Sequence, residues 1–282
     1  MTVKTYDELA AAAGSSDTLT IQLATMIQAG TNTAQIRVQS NKTIRGTAVG
    51  AGITGAGFNI FKASNVIVQN LVIAKAVEDA NTVNASTNVW VDHCDLSSDG
   101  AVSSPYDGLV DVNHGADFVT VSWNHLHDHR LTSLVGHTAA PENVEDPSHL
   151  KVTYHHNWFQ GTLFYNPKVR YGSVHVFNNY YDYPEGSPAI GITAQLGAQV
   201  MVEANLFKNL ETPMTTEGDD NGQDPSKQGA ISQAGNAYRG TGDPVITQVG
   251  TWRPSPSDYA YTADVAEAVP DLVSRCSGPA LP

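Results

Sequence analysis

The sequence predicts an all-β solenoid, one elongated domain over residues 1–282 whose N-terminal end is closed by a helix. Two observations carry this. A frame of the form Val-x-Val-x-x-Asn recurs at Val119-Thr-Val-Ser-Trp-Asn124, Val152-Thr-Tyr-His-His-Asn157, Val174-His-Val-Phe-Asn-Asn179 and Val200-Met-Val-Glu-Ala-Asn205. Looser versions stand at Val66-Ile-Val-Gln-Asn70 and Val89-Trp-Val-Asp-His-Cys-Asp95. Such segments alternate inward and outward residues and then break at a polar turn, the pattern of a short strand. Their first residues fall at positions 66, 89, 119, 152, 174 and 200, and a strand returning at that period marks a coil repeat. The second observation is composition. Charged residues make up only 15% of the chain, with 24 Gly and 14 Pro, which suits many turns and few helices. The asparagines that end the strands are expected to stack from coil to coil and bond the backbone above and below. A β-sandwich with several valine strands is the competing architecture.

The elements follow in order. Tyr6 to Ala13 reads as a helix and Leu19-Thr-Ile-Gln-Leu23 as a strand; a helix there covers strand edges that would otherwise be open. Ile36-Arg-Val-Gln-Ser-Asn-Lys-Thr-Ile44 gives the first strand pair. Residues 46–57, rich in Gly and Ala, read as tight turns; they lack the strand and helix that flank a phosphate-binding loop. From 65 to 207 the repeats succeed one another, with longer loops expected at 97–105 and 136–149, and loops on a repetitive scaffold are where function concentrates. Residues 212–228 read as a polar loop whose acidic cluster faces solvent, and a short helix is expected near 264–269. There is no run of 18 apolar residues, which a membrane-spanning helix would need. The first residues lack the apolar run of a secretion signal. Cys94 and Cys276 could form one disulfide, though two cysteines at this separation cannot be paired from sequence; Cys94, in a strand-like segment, reads equally as a buried thiol.

A formal charge of −13 repels nucleic acid and anionic membranes. An anionic substrate would need a bridging metal or a local cationic site. Asp107-Gly-Leu-Val-Asp111 puts two carboxylates on one strand face. Asp79, about one coil earlier and next to Glu78, can stack beside them. Carboxylates gathered on one outer face repel unless a cation lies between them, and hard oxygen ligands with open positions suit Ca²⁺. Of the ten histidines, His127-x-His129 has a possible two-ligand spacing, which would suit a histidine-metal hydrolase. Hydrogen bonding of the imidazoles to backbone at the turns is the favoured reading.

Taken jointly and in order, several segments resemble the pectate lyases of the pectate/pectin lyase family. They are Asn88-Val-Trp-Val-Asp-His93, Tyr106-Asp-Gly-Leu-Val-Asp111, Val119-Thr-Val-Ser-Trp-Asn124, His127-Asp-His129, Ser133-Leu-Val-Gly-His137, Val152-Thr-Tyr-His-His-Asn157 and Val174-His-Val-Phe-Asn-Asn-Tyr-Tyr181. Lys42-Thr-Ile-Arg-Gly46 and Ala51-Gly-Ile-Thr-Gly55 resemble the family's N-terminal portion. The resemblance implies a single-stranded right-handed parallel β-helix. It also implies calcium-dependent cleavage of polygalacturonate, or a related uronic-acid polymer, by β-elimination in a groove along the outer face, in a secreted, monomeric protein. The calcium ligands it implies are Asp79, Asp107 and Asp111.

The chain departs from the family at its cations. The family's Arg-x-Pro-x-x-Arg reads Tyr165-Asn-Pro-Lys-Val-Arg170, so Arg170 is kept as a substrate-carboxylate ligand while Tyr165 stands at the position of the base. The family's lysine falls on Leu131, with Arg130 one place earlier. Arg130, Lys168 and His137 are the remaining expected substrate contacts, Lys168 sharing a strand face with Arg170. A phenol loses its proton near pH 10 in water, and nearby cations favour the phenolate. The alternative is a lyase-inactive carbohydrate-binding or scaffold protein, or an engineered variant, that keeps the fold.

Overall fold

The computed structural model describes residues 1–98, 106–140, 143–218 and 227–280. Alternating Val and Ile residues set the architecture. At each coil of the first face one of them points inward and stacks on its equivalent in the next coil: Val66 on Val89, Val89 on Val119, Val119 on Val152, Val152 on Val174, Val174 on Val200 and Val200 on Ile231. Each of these is at most 2% exposed, and full burial of such a side chain contributes about 1.5–3 kcal/mol. Every strand pairing between successive coils is parallel, which gives a right-handed parallel β-helix as expected.

Three faces result. The first runs from Leu19–Leu23 through Ser64–Gln69, Thr87–Asp92, Asp117–Ser122, Lys151–His155 and Ser173–Phe177 to Gln199–Glu203 and Ala230–Ala234. The second contains Asp95–Ser97, His125–His127 and Trp158–Gln160. The third contains Phe58–Phe61, Asn81–Asn84, Val110–Asn113, Leu134–Val135 and Lys168–Arg170. The second and third faces join through the long strand Tyr180–Gln195, which serves both.

The turn between the first two faces carries the polar ladder. Nδ2 of Asn124 donates to Oδ1 of Asn157 at 3.0 Å, Asn157 to Asn179 at 2.9 Å, Asn179 to Asn205 at 3.0 Å, and Asn205 to Asn236 at 3.1 Å. Each amide also donates to a carbonyl one coil back, as Asn157 does to Val121 O at 2.8 Å. Asn236 extends the ladder beyond the repeats recognised in sequence, although Ile231 to Asn236 keeps their frame. Asn70 and Asp95 lie outside it. Asn70 takes the left-handed position just before the ladder (φ 55°), and the place in the Asp95 coil belongs to Cys94, whose N–H donates to Asn124 Oδ1 at 2.9 Å.

Several boundaries differ from expectation. The helix Tyr6–Ala13 forms as anticipated, with Thr5 accepting from Glu8 N at 3.2 Å as its N-cap. The segment from Ile36 to Ile44 is not one strand pair: Ile36–Val38 lies on the third face and Lys42–Gly46 on the first, because the coil turns a corner between them. Gly52–Thr54, within the expected turns, is a strand pairing Val72–Ala74. Residues 212–216 belong to the strand Leu206–Thr216 rather than a loop, held by pairing to Tyr180–Gln195. The terminal helix is Val269–Cys276, after a short 3-10 turn at Ala266–Ala268; Pro270 sits in its first turn, where a missing N–H costs nothing. Residues 136–140 and 143–149 form a loop as expected, while 99–105 of the other expected loop lie outside the described residues. Cys94 and Cys276 are both free. Cys94 is buried, its Sγ 3.3 Å from Asp92 O, and burial pushes its thiol up to about 12.

Candidate acidic site on the third face

Asp79, Asp107 and Asp111 come from two adjacent coils. Strand Asn81–Asn84 pairs with Val110–Asn113, Thr82 opposite Asp111, and Ala80 N donates to Gly108 O at 3.1 Å. This pairing sets Asp79 and Asp111 on either side of Gly108. A Cβ at Gly108 would lie 2.7 Å from Asp79 Oδ1 and 2.9 Å from Asp111 Oδ1, so both oxygens face the space that glycine leaves open. Asp79 Oδ1 is buried and makes no well-formed hydrogen bond among the described residues, although the backbone N–H of Gly108 beside it favours the ionised carboxylate. The other Asp79 oxygen accepts from Thr82 Oγ1 at 2.6 Å. Asp111 Oδ1 accepts from Leu134 N at 2.9 Å. Asp107 is exposed at the rim; its carboxylate is near enough to disfavour ionisation of both others, but it does not converge with them as closely as they do on each other.

Burial is the largest influence on both inner carboxyls. Asp79 is pushed up to about 6 by desolvation, with the charges of Asp107 and Glu78 adding and the Thr82 hydroxyl opposing. Asp111 is held well above the usual carboxylate range by desolvation and then by the charge of Asp79, against the Leu134 N–H and the Arg170 guanidinium. Once both are ionised they only accept, and two such groups aimed at one space repel unless a proton or a cation joins them. Oxygen donors, one of them without a well-formed hydrogen bond, around a cradle that a single Cβ would fill are the donor set of a hard divalent ion.

Two supporting residues, Gln35 and Thr82, escaped the sequence reading, and a third, His129, was read there only as a possible metal ligand or backbone partner. Gln35 Nε2 donates to Asp79 O at 2.9 Å and to Thr82 Oγ1 at 2.7 Å, which leaves the Thr82 proton for Asp79. His129 Nε2 donates to Asp107 O at 3.0 Å, with Nδ1 2.8 Å from Ser98 Oγ, and so pins the backbone of the acidic turn. Thr82 had a usable signal, one coil before Asp111; Gln35 had none. His129 takes the backbone-bonding role favoured for the histidines, as His149 does on Glu145 O, but most of the others, His93, His114, His125, His137, His156 and His175 among them, meet carboxylates instead. His127 likewise meets Asp95 at 3.1 Å and Asp128 at 2.7 Å.

The cations lie further along the same face. Leu134, whose N–H holds Asp111, pairs with Lys168. Val169 between Lys168 and Arg170 points into the core, so both cationic side chains lie on the outer side. Arg170 donates to Gln195 Oε1 at 3.1 Å and to Gly136 O at 3.2 Å. Gly136 (φ 88°) makes this possible, since a Cβ there would be 2.6 Å from Arg170 O. Lys168 Nζ is 3.7 Å from Glu217 Oε2 and 5.2 Å from the centre of the Tyr165 ring. Tyr165 has left-handed backbone (φ 61°) and its carbonyl accepts from Ser133 N at 2.7 Å; among the described residues nothing bonds its hydroxyl. Arg130 packs over the Phe164 ring at 5.6 Å, and Leu131 bridges Phe164 in the next coil. His137 stands apart from this row, bonded to Asp146 and stacked on His114.

One outer face of a parallel β-helix thus carries the buried Asp79 and half-buried Asp111 together with a row of cations. The chain belongs to the pectate lyase family: the family model described as "Pectate lyase" matches residues 2–279. Among curated relatives, probable pectate lyase B of Aspergillus flavus is 43% identical over 213 residues, covering 74% of this chain and 63% of its own. Pectate lyase plyB of Emericella nidulans is 42% identical with the same coverage. The match thus spans 63% of the length of these relatives. Among solved structures, a pectate lyase of Bacillus sp. N165, determined in complex with trigalacturonate, superposes with a TM-score of 0.84 at 27% identity, over 98% of this chain and 92% of its own. A Bacillus subtilis pectate lyase variant has the same fold at 21% identity, with a TM-score of 0.81 over 99% of this chain and 91% of its own.

Proposed function

We propose that the protein is a calcium-dependent lyase that cleaves polygalacturonate, or a closely related uronic-acid polymer, by β-elimination. The observation that carries this is the convergence of Asp79 Oδ1, buried and without a well-formed hydrogen bond, and Asp111 Oδ1 on the space beside Gly108. These two carboxylates would hold the calcium ion, with Asp107 at the rim as a third donor. When bound, the ion neutralises the substrate carboxylate and lowers the barrier to carbanion-like charge at C5. Arg170, fixed by Gln195 and Gly136, takes a substrate carboxylate, and Lys168 and Arg130 add positive charge along the polymer. Tyr165 Oη accepts the C5 proton as the C4–O bond breaks and the C4–C5 double bond forms; the leaving oxygen takes a proton from solvent. The secreted location of a polymer-degrading enzyme fits an acidic, polar surface.

The test is absorbance of the unsaturated product with polygalacturonate and calcium. A rise is expected at alkaline pH, and no rise at any pH overturns the assignment. Tyr165→Phe should abolish turnover while leaving substrate affinity unchanged; retained turnover removes Tyr165 as the base. A second reading, a carbohydrate-binding protein without turnover, is favoured by Leu131 and Tyr165 standing where the family has cations. It predicts calcium-dependent polymer binding and no product, and Tyr165→Arg would then be the variant that creates product.

A further inference from the structure

Among the described residues outside the acidic site, two groups of side chains have metal-ligand chemistry: Asp95 with His125 and His127, and His114 with His137 and Glu145. In the first, both nitrogens of each ring are already engaged. His125 meets Asp95 and Gln160, and His127 meets Asp95 and Asp128. A metal shared with Asp95 would have to displace both of its imidazole contacts. The second group is arranged differently.

We propose that His114, His137 and Glu145 form a binding site for a borderline divalent transition metal, zinc in the first instance, separate from the calcium site. His114 follows the strand Val110–Asn113 and His137 follows Leu134–Val135, and Val112 pairs with Val135. The two histidines therefore stand one above the other in adjacent coils, their rings stacked with centres 3.8 Å apart. Glu145 reaches both from the loop: its Oε1 contacts His114 Nδ1 and lies 3.8 Å from His137 Nε2. The three ligand atoms all fall within 4.8 Å of one another. Donors around a tetrahedral zinc ion are about 3.4 Å apart at ordinary bond lengths, so the atoms are near enough, and binding turns the stacked rings to aim both lone pairs at the ion.

Asp146 is the second, independent observation. It is fully buried and accepts from Gly115 N at 2.7 Å, His137 N at 3.2 Å, Asn143 Nδ2 at 2.8 Å and His137 Nδ1 at 2.8 Å. Surrounded by donors, it acts as an acceptor and fixes the proton of His137 on Nδ1. The lone pair of His137 is thereby placed on Nε2, toward Glu145. A carboxylate that orients a histidine in this way is the usual outer partner of a metal-binding imidazole. Two imidazoles and one carboxylate suit zinc, cobalt, nickel or copper rather than calcium. His114 and Glu145 are exposed, which supplies an entry path and leaves a fourth position for water. Because Gly136 O receives Arg170, a metal at the adjacent His137 would also brace the loop that seats this arginine.

The experiment is zinc titration of the full chain in saturating calcium, read by calorimetry and by thermal melting, with cobalt substitution read by visible absorption. One zinc per chain, a rise in melting temperature and a tetrahedral cobalt spectrum are expected. His114→Ala, at an exposed position, should remove all three, and Asp146→Asn should weaken zinc about 10- to 100-fold. His127→Ala and Asp111→Asn should leave zinc binding intact, the latter even though it loses calcium. Absence of zinc binding by the wild-type chain, binding unchanged in His114→Ala, or binding lost in His127→Ala instead would each overturn the proposal.

Discussion

Two stacks of buried polar side chains run along this solenoid, and they are built on opposite logic. In the asparagine column each amide donates and accepts, so every coil satisfies the next: Asn124, Asn157, Asn179 and Asn205 are all 0% exposed and none is left with an unpaired atom. On the third face the stacked groups are carboxyls, which when ionised only accept. Two ionised groups cannot satisfy each other there, and Asp79 Oδ1 makes no well-formed hydrogen bond among the described residues. The repeating scaffold is the same in both places. The difference teaches that a buried polar residue in a repeat serves stability where its neighbours complete its bonding, and points to a ligand where they cannot.

That contrast can be broken most sharply at Asp111. Asp111→Asn should lower lyase turnover by about 10²- to 10³-fold, the size of effect seen when one charge-stabilising contact is lost, while leaving the melting temperature of the calcium-free protein unchanged or higher. A clear drop in melting temperature would show that the carboxylate holds the coils together after all. The ladder predicts the reverse. Asn157→Ala should cost about 3 kcal/mol of unfolding free energy in urea, since it strands the Asn124 N–H and the Val121 carbonyl in the interior, with the acidic site unaffected. A loss within error of zero would mean the stacked amides contribute shape rather than bonding.

Calcium removal sharpens the comparison next. At a hundredfold excess over its dissociation constant, calcium should stabilise the wild-type fold by about 2.7 kcal/mol, measured by melting with and without chelator. Asp111→Asn should lose this increment and Asn157→Ala should keep it. The smallest expected effect is in pH. Native Asp79 holds its proton up to about pH 6, whereas the ordinary value is 3.8, so the native state binds more protons than the unfolded chain between these values. Stability of the calcium-free protein should therefore rise as pH falls from about 6 toward 4, and Asp79→Asn should flatten that slope. Calcium affinity should fall over the same interval, because protons and the ion compete for one carboxylate.

The coil itself was legible in the sequence because its signal repeats: Val119, Val152, Val174 and Val200 occupy one inward column, and the asparagine five places after each announces the ladder. That Asp79 and Asp111 lie side by side was legible as well, since Asp79 falls about one repeat earlier; that Asp107 stays exposed at the rim was not. Where the repeat drifts, the reading failed. The segment at 36–44 was split between two faces, and 212–216 became strand because its pairing partner, the long strand Tyr180–Gln195, is not local.

The sequence by itself determined the solenoid, its ladder and the family to which the chain belongs, because periodic burial and ordered motifs act over short distances along the chain. Only the tertiary structure decided what stands beside what across coils: Gln35 under Thr82, His129 on the turn of Asp107, and His137 bonded to Asp146 and stacked on His114 instead of lining the cationic row. The physical reason is register. Adjacent coils are only about 4.8 Å apart in space but a variable twenty to thirty-odd residues apart in sequence. Which side chain meets which is therefore fixed by the backbone hydrogen bonds that align the coils, and no spacing in the chain encodes it.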